Sequence, residues 1–322
     1  MSDRKLAFLF PGQGSQAVGM GRDLSEKFPI AKQTFQEADE ALGFSLSMLC
    51  FEGPEEQLKL TEFTQPAIFT VSIAAQRVLA ERGVTASFTA GHSLGEYSAN
   101  VAAGVLSFSD AVRTVRSRGR YMQEAVPAGE GAMAAVLGLP SEAVIDVCAK
   151  AAAETGAVVS AANLNSPEQT VISGAVAGVE RAAALAKEAG AKKVVMLAVS
   201  APFHCALMQP AQDRLAEDLQ TLSFSAPSVP VVTNVDAALT TDAGQLRDAL
   251  VRQVTGAVRW VESMRLLTNE HILGQKPTHF IEVGPGKVLS GLMRQIDRSQ
   301  TALHVGDEAS LEKTLAALTP AS

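Results

Sequence analysis

The chain has 322 residues, 47% of them hydrophobic and 19% charged, with a net charge of -7 at pH 7. A chain of this length can bury about three quarters of the surface it exposes when unfolded, so a large core is attainable. Its apolar runs are short and broken by Gly, Pro and charge, none near the roughly 18 residues of a membrane span. Its acidic balance, with Lys and Arg scattered, argues against a nucleic-acid-binding surface.

In chain order, Lys5 to Phe10 reads as a buried first strand and Pro11-Gly12-Gln13-Gly14-Ser15 as a turn. That apolar run is too short for a signal-peptide core, so a cytoplasmic location is expected. Amphipathic stretches follow over 30–42 and 65–82, the second opening at Pro66 and closing at Gly83. Phe88 to Gly91 reads as a short strand that ends at Ser93, and Leu94 to Ala103 resumes a helical pattern.

The stretch 129–199 carries a different rhythm. Strands at Met133–Leu137, Val158–Ala162, Gln169–Ser173 and Lys192–Leu197, with helices at Ser141–Ala153 and Val176–Ala189, give the βαββαβ order of a ferredoxin-like unit. It reads as an insertion into a larger domain built from 1–128 and 200–322. There, strands at Pro230–Thr233 and Thr278–Ile281 alternate with helical runs at 244–254, 260–268 and 287–296, which favours a parallel α/β sheet. Cys50, Cys148 and Cys205 lack paired metal-ligand spacing and read as reduced, buried thiols.

Gly91-His92-Ser93-Leu94-Gly95 fits the elbow pattern in which two glycines let a strand-to-helix turn hold a Ser hydroxyl clear of the backbone. A Ser hydroxyl is a weak nucleophile until a base takes its proton. Of five histidines, His92 adjoins the Ser and points elsewhere, while His271, His279 and His304 sit in polar or strand-edge contexts. His204 follows Pro202-Phe203 at a loop-helix junction, where open α/β sheets put their sites.

On the helix predicted from Phe108 to Ala125, Arg118 falls within the apolar stripe of Ala111, Val115, Met122 and Ala125, which spans about 80° of arc. Arg113, Arg116 and Arg120 lie opposite. An Arg facing a core meets a buried carboxylate or lines a pocket, and the sequence leaves both open. The loop Phe10 to Gln16 lacks the Lys of a phosphate-binding loop; it and the N–H of Leu94 are placed to donate to a reacting carbonyl oxygen. Gly284-Pro285-Gly286 lacks dinucleotide spacing and reads as a plain turn.

Six segments in order, from Phe10-Pro11-Gly12-Gln13-Gly14-Ser15-Gln16 through Gly91-His92-Ser93-Leu94-Gly95-Glu96-Tyr97, Ser117-Arg118-Gly119-Arg120, Asn163-Leu164-Asn165-Ser166-Pro167 and Pro202-Phe203-His204 to Glu282-Val283-Gly284-Pro285-Gly286, resemble the malonyl-CoA:acyl-carrier-protein transacylases of type II fatty acid synthesis. The resemblance implies an α/β-hydrolase-like large domain with a parallel sheet and an inserted ferredoxin-like domain. It implies that Ser93 carries the acyl group, His204 is base and acid, and Arg118 binds the malonyl carboxylate. Gln13 and Leu94 then supply the oxyanion N–H groups, Gln253 orients His204 through its backbone carbonyl, and Phe203 crowds a 2-methyl branch. Malonyl-CoA and acyl carrier protein are the implied partners, with Lys192 and Lys193 as a basic docking patch; Lys287, Arg294 and Arg298 form another candidate group. No metal or other cofactor is expected. A serine hydrolase, a polyketide acyltransferase and an idle carrier-binding module remain the alternatives.

Overall fold

A computed structural model describes residues 4–199, 201–270, 274 and 276–319; His271 and Ser200, both considered above, lie outside the described residues. The larger of two sheets contains β1 (Leu6–Phe10), β2 (Phe88–Gly91), β7 (Val231–Thr233), β8 (Ala238–Thr240), β9 (His279–Val283) and β10 (Ala302–Val305), in the order β10-β9-β1-β2-β7-β8. All its pairings are parallel except β7 with β8, so the expected parallel sheet carries an antiparallel edge strand.

The central strand β1 is buried along its whole length because both faces are covered, as in parallel sheets. Its two-residue period divides it: Leu6, Phe8 and Phe10 enter one core, and Ala7 and Leu9 enter another with Trp260 and Met264. The first core is built on α5 (Thr61–Glu81), buried on every side from Thr64 to Ala75. This helix begins five residues before Pro66, so the proline lies inside it rather than at its start. Helix α7 (Phe108–Glu124) packs on α5, its N-terminus capped by the Ser107 hydroxyl, which accepts from the Asp110 N–H. Gly119 permits the contact, since a Cβ there would stand 2.5 Å from the carbonyl oxygen of Thr61.

The smaller sheet holds β3 (Gly131–Leu137), β4 (Val159–Ser166), β5 (Gln169–Ala175) and β6 (Lys193–Met196), all antiparallel, in the order β4-β5-β3-β6. With α8 (Ser141–Thr155) and α9 (Val176–Glu188), this is the βαββαβ ferredoxin-like arrangement. Ala134, Val136 and Ile172 face those helices, while the alternating Met133 and Val171 join the core of the larger body. The two bodies are also joined through backbone: Leu164 N–H donates to Val258 O at 2.9 Å, and Val258 N–H donates to Ala162 O at 2.8 Å. No helix among the described residues is long and apolar enough to cross a membrane.

Candidate active site

Strand β2 and helix α6 (Gly95–Ala102) are joined by a turn in which Ser93 takes φ 53°. A left-handed conformation costs an L-residue about 1–2 kcal/mol, so something must hold it. The turn is tight because neither flank carries a side chain. A Cβ on Gly91 would stand 1.9 Å from the carbonyl oxygen of Gly95, and one on Gly95 would stand 2.0 Å from that of Phe10. The Ser93 N–H donates to Asn234 Oδ1 at 2.7 Å, and Ser93 O accepts from Gln253 Nε2 at 3.0 Å.

His204 also has positive φ, 59°, in a bend ahead of the single 3-10 turn Ala206–Met208; α10 (Gln209–Gln220) follows. Its Nδ1 lies 2.9 Å from Gln253 O and 3.1 Å from Gly256 O. Two carbonyl acceptors require the hydrogen on Nδ1, which leaves Nε2, 2.7 Å from Ser93 Oγ, to accept from the hydroxyl. Burial first, and then the nearby Arg118 charge, depress the imidazole to about 3. The ring is therefore neutral at pH 7 and free to take a proton.

Arg118 is 1% exposed. It donates from Nη1 to Gln65 Oε1 at 2.7 Å and from Nη2 to Gln253 Oε1 at 2.9 Å and Ser93 Oγ at 3.2 Å. Its Cζ lies over the Tyr97 ring, 5.7 Å from the centroid, and Nε has no partner among the described residues. Of the outcomes left open by the sequence, the cavity is the one observed: no carboxylate among the described residues forms an ion pair with this guanidinium. The buried acid Glu96 makes no hydrogen bond to it; Gln253 bridges the two, its Nε2 donating to Glu96 Oε2 at 2.6 Å, and the two charges act on each other through space. Burial pushes the Glu96 carboxyl up to about 7.

Ser93, His204 and Arg118 line a cavity of about 410 Å³ between the two sheets. Gln13, Leu94 and Phe203 line it too; Leu94 and Phe203 are buried, and the exposed Gln13 donates from Nε2 to Thr61 Oγ1 at 3.3 Å. Gln253 lies behind this wall, with its backbone oxygen on His204 and its side chain on Arg118. His92 turns away from Ser93, its Nε2 2.8 Å from Asn165 Oδ1. Gln65, Glu96, Asn234 and Gly256 received no role in the sequence reading. Nothing local marks them, since each acts through a partner distant in sequence.

Lys192 is paired with Glu168 at 3.1 Å, both side chains exposed. Lys287 precedes Val288, which lines the cavity and is half exposed. The three cysteines are free and buried, and burial raises their thiols, that of Cys148 to about 12. No group of three or more His, Cys, Asp or Glu that could hold a metal occurs among the described residues.

A serine and a neutral histidine in hydrogen-bond contact, at the end of a parallel strand and beside a buried cation, are the elements of a serine acyl-transfer site. Residues 7–312 match the family model described as an acyl transferase domain. A malonyl CoA-acyl carrier protein transacylase of Bacillus subtilis is 51% identical over 314 residues, 98% of this chain and 97% of that protein. The solved acyl carrier protein S-malonyltransferase of Vibrio cholerae superposes with a TM-score of 0.91 at 50% identity, covering 96% of this chain and 99% of the other. A malonyl-transacylase solved in complex with a type II PKS acyl-carrier protein gives 0.92 at 47% identity, covering 97% and 99%. The chain belongs to the acyl transferase family, among its malonyl CoA-acyl carrier protein transacylases.

Proposed function

We propose that this chain transfers the malonyl group from malonyl-CoA to the phosphopantetheine thiol of acyl carrier protein, through a malonyl ester on Ser93, and so supplies fatty acid synthesis. The observation that carries the reading is Arg118, a buried cation with no carboxylate partner among the described residues, 3.2 Å from Ser93 Oγ. A planar guanidinium binds a carboxylate through two parallel hydrogen bonds, and an acyl group ending in a carboxylate supplies the missing anion.

His204 Nε2 takes the hydroxyl proton as Ser93 Oγ attacks the thioester carbonyl. The oxygen of the tetrahedral intermediate is held by the N–H groups of Gln13 and Leu94, at the N-terminal end of α6, each donor contributing about 3 kcal/mol. The C–S bond breaks and the imidazolium returns its proton to the coenzyme A thiolate. The carrier thiol then gives its proton to His204, attacks the ester carbonyl and displaces Ser93 Oγ, which is reprotonated; donor and acceptor alternate in ping-pong fashion. The carbonyl oxygens of Gln253 and Gly256 keep the imidazole in the required tautomer.

Phe203, in the wall beside the base, is assigned to crowding of a 2-methyl branch, a discrimination worth about 1–3 kcal/mol. The chain is read as an acyltransferase domain of 1–128 and 200–322 with a ferredoxin-like insertion at 129–199, working in the cytoplasm without a metal or resident cofactor. Lys192 and Lys193 are proposed to meet the acidic carrier. The exposed pair of Lys192 with Glu168 is worth only about 0–1 kcal/mol, so exchange for another carboxylate is cheap.

Intact mass after incubation with malonyl-CoA, and again after addition of carrier protein, tests the reading. A malonyl adduct that persists in buffer and discharges onto carrier protein is expected. Rapid loss to water identifies a hydrolase instead, and absence of any adduct refutes the reading.

A further inference from the structure

Glu96 is fully buried in the first turn of α6, yet it touches neither the cavity nor the Ser93 hydroxyl. Burying a carboxyl group is costly unless hydrogen bonds compensate, and one oxygen receives them all. Glu96 Oε2 accepts from the Asn234 backbone N–H at 3.0 Å and from Gln253 Nε2 at 2.6 Å, while Oε1 has no partner among the described residues. The same two residues hold the strained nucleophile: Asn234 Oδ1 accepts from the Ser93 N–H at 2.7 Å, and Gln253 Nε2 donates to Ser93 O at 3.0 Å. The Ser93 N–H thus ends on one side-chain amide, Ser93 O accepts from another and from the Glu96 backbone N–H at 3.0 Å, and both amide residues end on one oxygen of Glu96.

The Gln253 amide has a direction. With Nε2 turned toward three oxygen acceptors, Glu96 Oε2 at 2.6 Å, Ser93 O at 3.0 Å and Asn234 Oδ1 at 3.3 Å, Oε1 faces Arg118 Nη2 at 2.9 Å. A flipped amide would aim its NH2 at a guanidinium that has only donors to offer. We infer that Glu96 is a positioning residue that couples the nucleophile to the carboxylate-binding arginine, by fixing the Gln253 amide so that its oxygen orients the Arg118 guanidinium. This inference rests on the malonyl-transfer reading and deepens it. Loss of the Glu96 acceptor removes the shortest of the three contacts that hold the Gln253 amide, which loosens the guanidinium and disturbs the geometry needed for paired hydrogen bonds to a carboxylate. An acetyl group makes no use of that geometry. The signature is therefore the malonyl-to-acetyl preference rather than the overall rate.

The test measures rates of acyl-enzyme formation from malonyl-CoA and acetyl-CoA by quenched intact mass, with folding checked by circular dichroism. In Glu96→Met, which keeps the length and loses the acceptor, the malonyl-to-acetyl ratio is expected to fall by at least about tenfold, as misplacement of a binding group typically costs. Glu96→Gln keeps an acceptor oxygen at the same reach and is expected to hold the ratio within about threefold of wild type. An unchanged ratio in Glu96→Met overturns the inference, because a packing role is met by methionine. A fall in Glu96→Gln as large as in Glu96→Met overturns it as well. If Glu96→Met does not fold, Gln253→Met decides by the same ratio, since it keeps the backbone carbonyl and removes the amide: a lowered ratio supports the coupling and an unchanged one refutes it. A wild-type chain that takes no acyl group from malonyl-CoA refutes the transfer reading itself, before any variant is compared.

Discussion

Arg118 Nη2 donates to Ser93 Oγ at 3.2 Å, so the charge proposed to select the acyl group lies against the atom proposed to carry it. Arg118→Ala is expected to cost malonyl transfer about 2–5 kcal/mol, the range for truncating one member of a buried, hydrogen-bonded charge pair. Acetyl transfer is expected to fall far less or to rise. Parallel kcat/KM measurements with the two donors check this, and equal losses would remove Arg118 from carboxylate binding.

Gly91→Ala tests the tight turn. The new Cβ would stand 1.9 Å from the backbone of Gly95, so strand and helix must separate. Overpacking of this kind costs about 1–3 kcal/mol, more than the few tenths to 1 kcal/mol gained from a stiffer unfolded chain. A lower thermal midpoint together with loss of acyl-enzyme is the expected result. A stable, active variant would mean that the turn relaxes without moving Ser93.

Acid stability should carry the mark of His204. The buried imidazole stays neutral down to about 3, whereas in the unfolded chain it takes a proton near 6.5. Between those values the unfolded state binds more protons, so this contribution is present above about pH 6.5 and is lost as pH falls toward 3. Glu96 acts in the opposite sense. Its carboxyl is raised to about 7 from 4.5, so its contribution is present below 4.5 and lost as pH rises through about 7. Urea unfolding of wild type and His204→Asn separates the two: the stability gap between them should narrow from pH 7 to pH 4. A gap independent of pH would contradict a neutral, buried His204.

Charge reversal at Lys192 and Lys193 is expected to raise the carrier-protein KM severalfold while leaving the rate of malonyl loading from coenzyme A unchanged. Steady-state kinetics with each substrate varied in turn make the check. An unchanged carrier KM would move the docking surface elsewhere, with Lys287 beside the cavity the next group to reverse.

Features with a local cause were legible in the sequence. The glycines around Ser93 announce a close-packed turn, and the 3.6-residue period puts Arg118 among apolar neighbours before any fold is known. The βαββαβ order of the small sheet follows from short strands alternating with amphipathic helices. The sequence pattern opens this helix at Pro66, whereas α5 starts at Thr61, because packing against α7 through Gly119 holds an extra turn ahead of the proline. Glu96, Asn234 and Gln65 were illegible for another reason. Each matters through a bond to a residue more than 50 positions away, and no window along the chain contains both ends.

The backbone bridge between β4 and Val258 bears on how substrates enter. The segment it joins runs directly on from Gln253 and Gly256, whose carbonyls hold the base. Prising the small sheet away would therefore pull on the imidazole itself. A wall tied to the base in this way favours entry of an acyl group through the mouth of the cavity over entry by separation of the two sheets. On the proposed reading, coenzyme A and the carrier protein reach Ser93 in turn through the mouth of this cavity, without the two sheets parting.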